Sequence, residues 1–131
     1  MKKEFIKYEE ALALKELGFD EECFGWYNGL SKLLINSLYS TQINKLNGDI
    51  QAPLYQQAFR WFREKYNLRG FIGFRPNVKQ FDHHIYDMSL SGMEYVKQRT
   101  MVEYNKDPLV GTYEEAEQAC LDKLIEIVKT K

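Results

Sequence analysis

In APLYQQAFRWFREKYNL, four large rings recur at i, i+4, i+7 and i+11: Tyr55, Phe59, Phe62 and Tyr66. That spacing lays them along one face of a helix. Leu54, Ala58 and Trp61 widen the face, and Gln56, Arg60, Arg63 and Asn67 fall on its back. Pro53 suits the first helical position, where its missing N–H costs nothing. Past Gly70 the pattern changes. FIGFRPNV reads as a strand stopped by Pro76, and FDHHIYDMSL as a second strand, with Asn77 in the connection. An apolar helix face followed at once by strands requires layers of helix and sheet that cover each other.

The rest of the chain fits around this centre. YEEALALKELGF predicts a helix over Ile6 to Leu17, ended by Gly18 in the left-handed conformation with Phe19 folding back on the last turn. In CFGWYNGLSKLLI, Asn28-Gly29 predicts a two-residue type I′ hairpin turn between strands Cys23–Tyr27 and Leu30–Ser37. Leu38 to Gln51 reads as a loop with some strand at its start. EYVKQRTMVEY alternates as a third strand of the later group would. In GTYEEAEQACLDKLIEIVKTK, Thr112 and Glu115 form a capping box. Tyr113, Ala116, Cys120, Leu124 and Ile127 line one face of the helix that follows, broadened by Leu121 and Val128. Its acids gather in the first turn and its lysines at the end, as the helix dipole favours.

The order helix, hairpin, helix, two or three strands, helix lacks the regular alternation that parallel sheets need. The expected class is α+β: a mainly antiparallel sheet, made of the hairpin plus two or three strands, with three helices packed on it. At 131 residues the chain is expected to form a single domain, 1–131.

Three stretches carry a resemblance. ALALKELGFDEECFGWY, APLYQQAFRWFREKYNL and TYEEAEQACLDKLIEIVK resemble a family of short uncharacterised proteins from bacteriophages and mobile elements of Bacteroidota hosts. The similar parts cover the first third, the central helix and the C-terminal helix. Leu30 to Ile50 and Gly70 to Val110 carry little of it. The resemblance implies a phage or mobile-element origin and an intracellular setting, the host cytoplasm. It brings no activity, cofactor or catalytic residue.

Charge is unevenly placed in a chain whose net charge is −1. Arg60, Arg63, Lys65, Arg69, Arg75 and Lys79 stand with one acid, Glu64, a local balance of +5. Glu9 to Glu22 holds six acids and one base, and Glu114 to Glu126 five acids and one base. Arginine forks match phosphate and carboxylate, so Arg60, Arg63, Arg69 and Arg75 are the candidate contacts to an anionic partner. Trp61 and nearby tyrosines are candidates to stack on bases. Against that stand the charged back normal for an amphipathic helix, the acidic flanks that these arginines can pair with, and the lack of a net basic charge. Acidic and basic patches on one small protein also complement each other between copies.

Both histidines fall in QFDHHIYDM. Asp82, His83, His84 and Asp87 are the metal-ligand candidates, but a strand sends alternate side chains to opposite faces. His83 and Asp87 share one face, and Asp82 and His84 the other. The four converge only if the segment bends, so the favoured reading is an exposed or partly exposed strand with polar residues on both faces. Cys23 or a serine with His83 or His84 would make a nucleophile–base pair, but no G-x-S-x-G elbow, phosphate loop or H-E-x-x-H supports one. Two cysteines make no disulfide framework. No N-terminal apolar run marks a signal peptide, and the longest apolar runs are too short to span a bilayer.

The expectation is a binding protein without a cofactor. Its first reading is an accessory role with a protein partner or a second copy of itself. The alternatives are weak nucleic-acid binding through residues 60–79 and a small metal-dependent enzyme using His83 or His84. No membrane partner is expected.

Overall fold

The computed structural model describes residues 2–35, 48–89, 101–104 and 111–130, with the backbone alone for Lys2 and 101–104. The fold class is α+β, as the periodicities predict, but the hairpin and the later strands do not share one sheet: they form two separate three-stranded antiparallel sheets. The chain forms two compact units, Met1–Ala58 and Phe59–Lys131.

In the first unit, a short 3-10 turn (Lys2–Glu4) leads to helix α1 (Tyr8–Glu16). Gly18 ends the helix at φ 99°, where a side chain would be strained. The Phe19 N–H then donates to the Leu14 carbonyl at 2.9 Å, and the Gly18 N–H to that of Lys15 at 3.0 Å. This paired closure satisfies two carbonyls that the helix end would orphan. Phe19 and Leu14 are both buried.

Three short strands follow: β1 (Gly25–Tyr27), β2 (Leu33–Ile35) and β3 (Ile50–Ala52), in the order β2-β1-β3, all antiparallel. The hairpin is where the sequence places it, but its turn differs. Tyr27 pairs with Leu33, so the connection is longer than two residues. Asn28 opens it: its carbonyl accepts from the Ser31 N–H, and its N–H donates to the Lys32 carbonyl. The positive φ falls at Ser31, 62°, not at Asn28 or Gly29. The reason is the Asn28 side chain. Its Oδ1 accepts from the N–H groups of Leu30 (2.9 Å) and Lys32 (3.0 Å), which favours asparagine at the first position of a turn. The end of the expected loop is also strand, since Ile50 and Gln51 pair with Tyr27 and Trp26. The stretch 36–47 lies outside the described residues.

Buried Tyr27 donates from its hydroxyl to the Ile6 carbonyl at 2.6 Å, and Tyr8 meets its ring edge-on at 5.6 Å. Pro53 is not the first residue of the next helix. Its carbonyl accepts from the Ile6 N–H at 3.0 Å, and Leu54 bridges to Phe5. The chain therefore stays extended through Leu54, and helix α2 runs Tyr55–Tyr66. Its face is as the spacing predicts: Tyr55, Ala58, Phe59, Trp61 and Phe62 are buried, and Gln56, Arg60 and Arg63 are exposed. Asn67, at φ 56°, closes it.

In the second unit, β4 (Leu68–Arg75), β5 (Gln80–Asp87) and β6 (Met101–Tyr104) form an antiparallel sheet in that order. The turn between β4 and β5 spans 76–79. Pro76 takes its first central position, the Val78 N–H returns to the Arg75 carbonyl, and Lys79 sits at φ 54°. Of the expected third strand, 94–100 lies outside the described residues, and Met101–Tyr104 is strand.

Helix α3 (Tyr113–Lys129) packs on β4 and β5. Thr112 caps it, its Oγ1 accepting from the Glu115 N–H at 3.1 Å and donating to the Glu115 carboxylate at 2.9 Å. Ala116, Cys120, Leu121, Leu124, Ile125 and Val128 are buried. Each fully buried Leu, Ile or Val contributes about 1.5–3 kcal/mol. The fit is tight at Gly70, where a Cβ would lie 2.7 Å from Cys120 Sγ and 3.2 Å from Leu124 Cδ1.

Candidate functional site

The β4–β5 hairpin gathers most of the residues with chemical potential. Its register fixes which side chains share a face, because directly opposed residues on antiparallel strands point the same way. One face holds Leu68 with Asp87, Gly70 with Ile85, Ile72 with His83, and Phe74 with Phe81. This is the face under α3, as the approach of Cys120 to Gly70 shows. The other holds Arg69 with Tyr86, Phe71 with His84, Gly73 with Asp82, and Arg75 with Gln80.

QFDHHIYDM is thus a strand that parts its histidines. His83 is buried on the helix side and His84 is on the other. Asp82 and His84 come together, with His84 Nε2 3.2 Å from Asp82 Oδ1, while Asp87 lies across from Leu68. No group of three or more His, Cys, Asp or Glu side chains could hold a metal ion among the described residues. The strand is less exposed than the sequence suggests: Asp82 and His83 are both buried. Asp82 lies over Gly73, where a Cβ would collide with its Oδ1, and Arg75 closes over it, Nε donating to Oδ2 at 2.8 Å. A carboxylate this deep needs that charge-assisted bond. Arg75 therefore pairs within its own hairpin.

On the same face as Asp82, the Phe71 ring lies nearly parallel to two neighbours. It is 5.3 Å from His84 at 23° and 5.4 Å from Tyr86 at 14°. Phe71 is 38% exposed. Arg69 and Arg75, both exposed, stand toward opposite ends of this ring ladder. The structure brings these two of the four candidate arginines onto one sheet face, while Arg60 and Arg63 lie on α2. Trp61 is not a stacking surface. It is 6% exposed, against Phe62 at 5.1 Å and Tyr66 at 5.5 Å, with Lys65 Nζ over its ring at 4.9 Å. Its place on the apolar face of α2 was the signal for burial.

On the helix side, toward the turn, sits a second group. Phe74 and Phe81 rings are 4.9 Å apart, and Phe81 meets Tyr113, the first residue of α3, edge-on at 5.9 Å. Phe74 is 52% exposed and Tyr113 47%, and Val78 on the turn is exposed as well. The Tyr113 hydroxyl is pushed above its ordinary pKa, first by partial burial, then by Glu117, Cys120 and Glu114.

Neither cysteine is activated. Burial pushes the Cys23 thiol up to about 12, with Glu21 adding to it, and burial with Glu117 does the same to Cys120, also to about 12. A reactive cysteine needs the opposite environment. Both are free thiols. The nucleophile reading of Cys23 has no support here.

Among the described residues, no helix is long and apolar enough to cross a membrane. In comparison with known proteins, no family model matches the chain, and no curated protein or solved structure matches it either.

Proposed function

We propose that this chain is an accessory binding protein of phage or mobile-element type, working in the host cytoplasm, which contacts a protein partner through Phe74, Phe81, Tyr113 and Val78. The observation that carries this reading is the exposed aromatic group itself. Large rings left half in water, touching each other beside a turn, are what an interface covers. Phe74 and Tyr113 at this exposure offer about 200 Å². A standard stable interface needs about 800 Å² per partner. The patch is thus an anchor for part of a larger interface.

The test places a photo-crosslinking residue at Val78 and identifies what it captures in host cells. The captured protein is then purified and titrated against the wild-type chain and against Phe74→Ser. The expected result is a partner whose affinity falls about ten-fold or more in the variant, as for a buried aromatic anchor. Crosslinks only between copies of this chain would replace the reading with self-association. A partner that binds Phe74→Ser equally well, with the variant's melting temperature unchanged, would remove the patch from the interface.

A further inference from the structure

The opposite face of the same hairpin supports a second, independent site. We infer that Arg69, Phe71, Arg75, His84 and Tyr86 form a binding face for single-stranded nucleic acid.

Four features of that face point to this chemistry. The first is the row of near-parallel rings, Phe71 between His84 and Tyr86, with Phe71 substantially in water. Unpaired bases have π-faces that extend such a row, whereas bases in a duplex are already stacked on one another. The second is the placing of charge. Arg69 and Arg75 are six residues apart on β4, about 20 Å at the rise of a strand, and stand on the same face as the rings. An extended strand of nucleic acid lying along β4 meets both guanidinium forks with its phosphates.

The third is the treatment of the acid. On this face of β4 and β5, Asp82 is the one carboxylate among the described residues. It is sunk over Gly73 at 4% side-chain exposure, with Arg75 Nε on one oxygen and His84 Nε2 near the other. Its charge is matched inside the protein and does not confront a phosphate backbone. The Arg75 side chain keeps 46% exposure above it, so the acid orients the guanidinium without burying it. The fourth is the surrounding balance of charge. Residues 68–80 carry Arg69, Arg75 and Lys79 and no acid. An acidic peptide would satisfy the arginines but would leave the ring ladder without a partner, so the rings favour nucleic acid.

Fluorescence anisotropy with a labelled single-stranded oligonucleotide of about a dozen nucleotides tests this on the full chain. Binding is expected at about 50 mM salt and should weaken about seven-fold by 200 mM, as two phosphate contacts imply. Arg69→Gln should reduce the slope of log K against log salt by about 0.7. Phe71→Leu keeps the bulk and removes the π-face, and should weaken binding about 5- to 100-fold. Arg60→Gln, on α2, should have the smaller effect of the two arginine variants. Thermal melting confirms that each variant is folded.

Absence of binding at low salt would overturn the inference. So would equal affinity for the duplex, or full affinity in folded Phe71→Leu. Displacement by polyglutamate as readily as by the oligonucleotide would reassign the face to an acidic protein. None of these outcomes bears on the Phe74 patch, which is read by crosslinking at Val78.

Discussion

Arg75 reaches diagonally across the β4–β5 hairpin to Asp82, its Nε 2.8 Å from Oδ2, and closes over a carboxylate that is otherwise out of water. The pairing is possible because Gly73, directly opposite Asp82, has no side chain. One glycine thus makes room for the acid, and the acid fixes the arginine.

Asp82→Asn should destabilise the protein by about 1–2 kcal/mol. A buried acceptor keeps its place but loses its charge-assisted bond. The half-exposed arginine limits the loss, because water can take over part of its partner's role. Urea unfolding measures it. A midpoint equal to wild type would mean that the Arg75 bond adds nothing to folding.

Gly70→Ala should cost about 1–3 kcal/mol, because the new methyl would press into Cys120 and Leu124 where α3 crosses the sheet. Cys120→Ala removes the atom nearest to it, so the double variant should lose less than the two single variants together. Equilibrium unfolding of the four proteins closes the cycle. Strict additivity would show that the helix shifts to accept the methyl instead of straining against Cys120.

Alkaline pH should unfold the protein through its thiols. Cys23 and Cys120 ionise in the unfolded chain near the ordinary 9.0 but in the folded protein only at about 12. Between those values the unfolded state has lost protons that the folded state keeps, so stability falls as pH rises. The stabilisation is complete below about 9 and is lost progressively toward 12. Cys120→Ala should show a smaller drop in urea midpoint across this window than wild type. Neither native thiol should react with a disulfide reagent at neutral pH, and rapid labelling of the folded protein would contradict the burial of both.

Wherever periodicity or a cap is local, the sequence is legible. The buried face of α2 follows from Tyr55, Phe59 and Phe62. The closure of α1 follows from Gly18 and Phe19, and the cap of α3 from Thr112 and Glu115. These features depend on residues within a turn or two of each other. The turn at Asn28-Gly29 was misread because Asn28 favours two different turns, and only the pairing of Tyr27 with Leu33 chooses between them.

The candidate site was legible in its charged and polar members, but not in Phe71, the ring at its centre, nor in its grouping. Arg69 and Arg75 stood out as bases, and Asp82 and His84 as polar residues on one side of a strand. Alternation alone established that His83 and His84 part company, since a strand's period is two. The register of β4 against β5 decided the rest: Phe71 lies between His84 and Tyr86, and Asp82 sinks over Gly73 beneath Arg75. Those contacts join residues up to fifteen positions apart. They depend on where the turn at 76–79 sets the pairing, and one residue of slip would send the side chains of the slipped strand to the opposite face from those of its partner. The sequence by itself determined the three helices and the two hairpins, because these follow from local geometry, but it missed β3, which exists only by pairing with β1, and the exposure of Tyr113. Only the tertiary structure decided which arginines share a sheet face with which rings, because register is a property of two strands together.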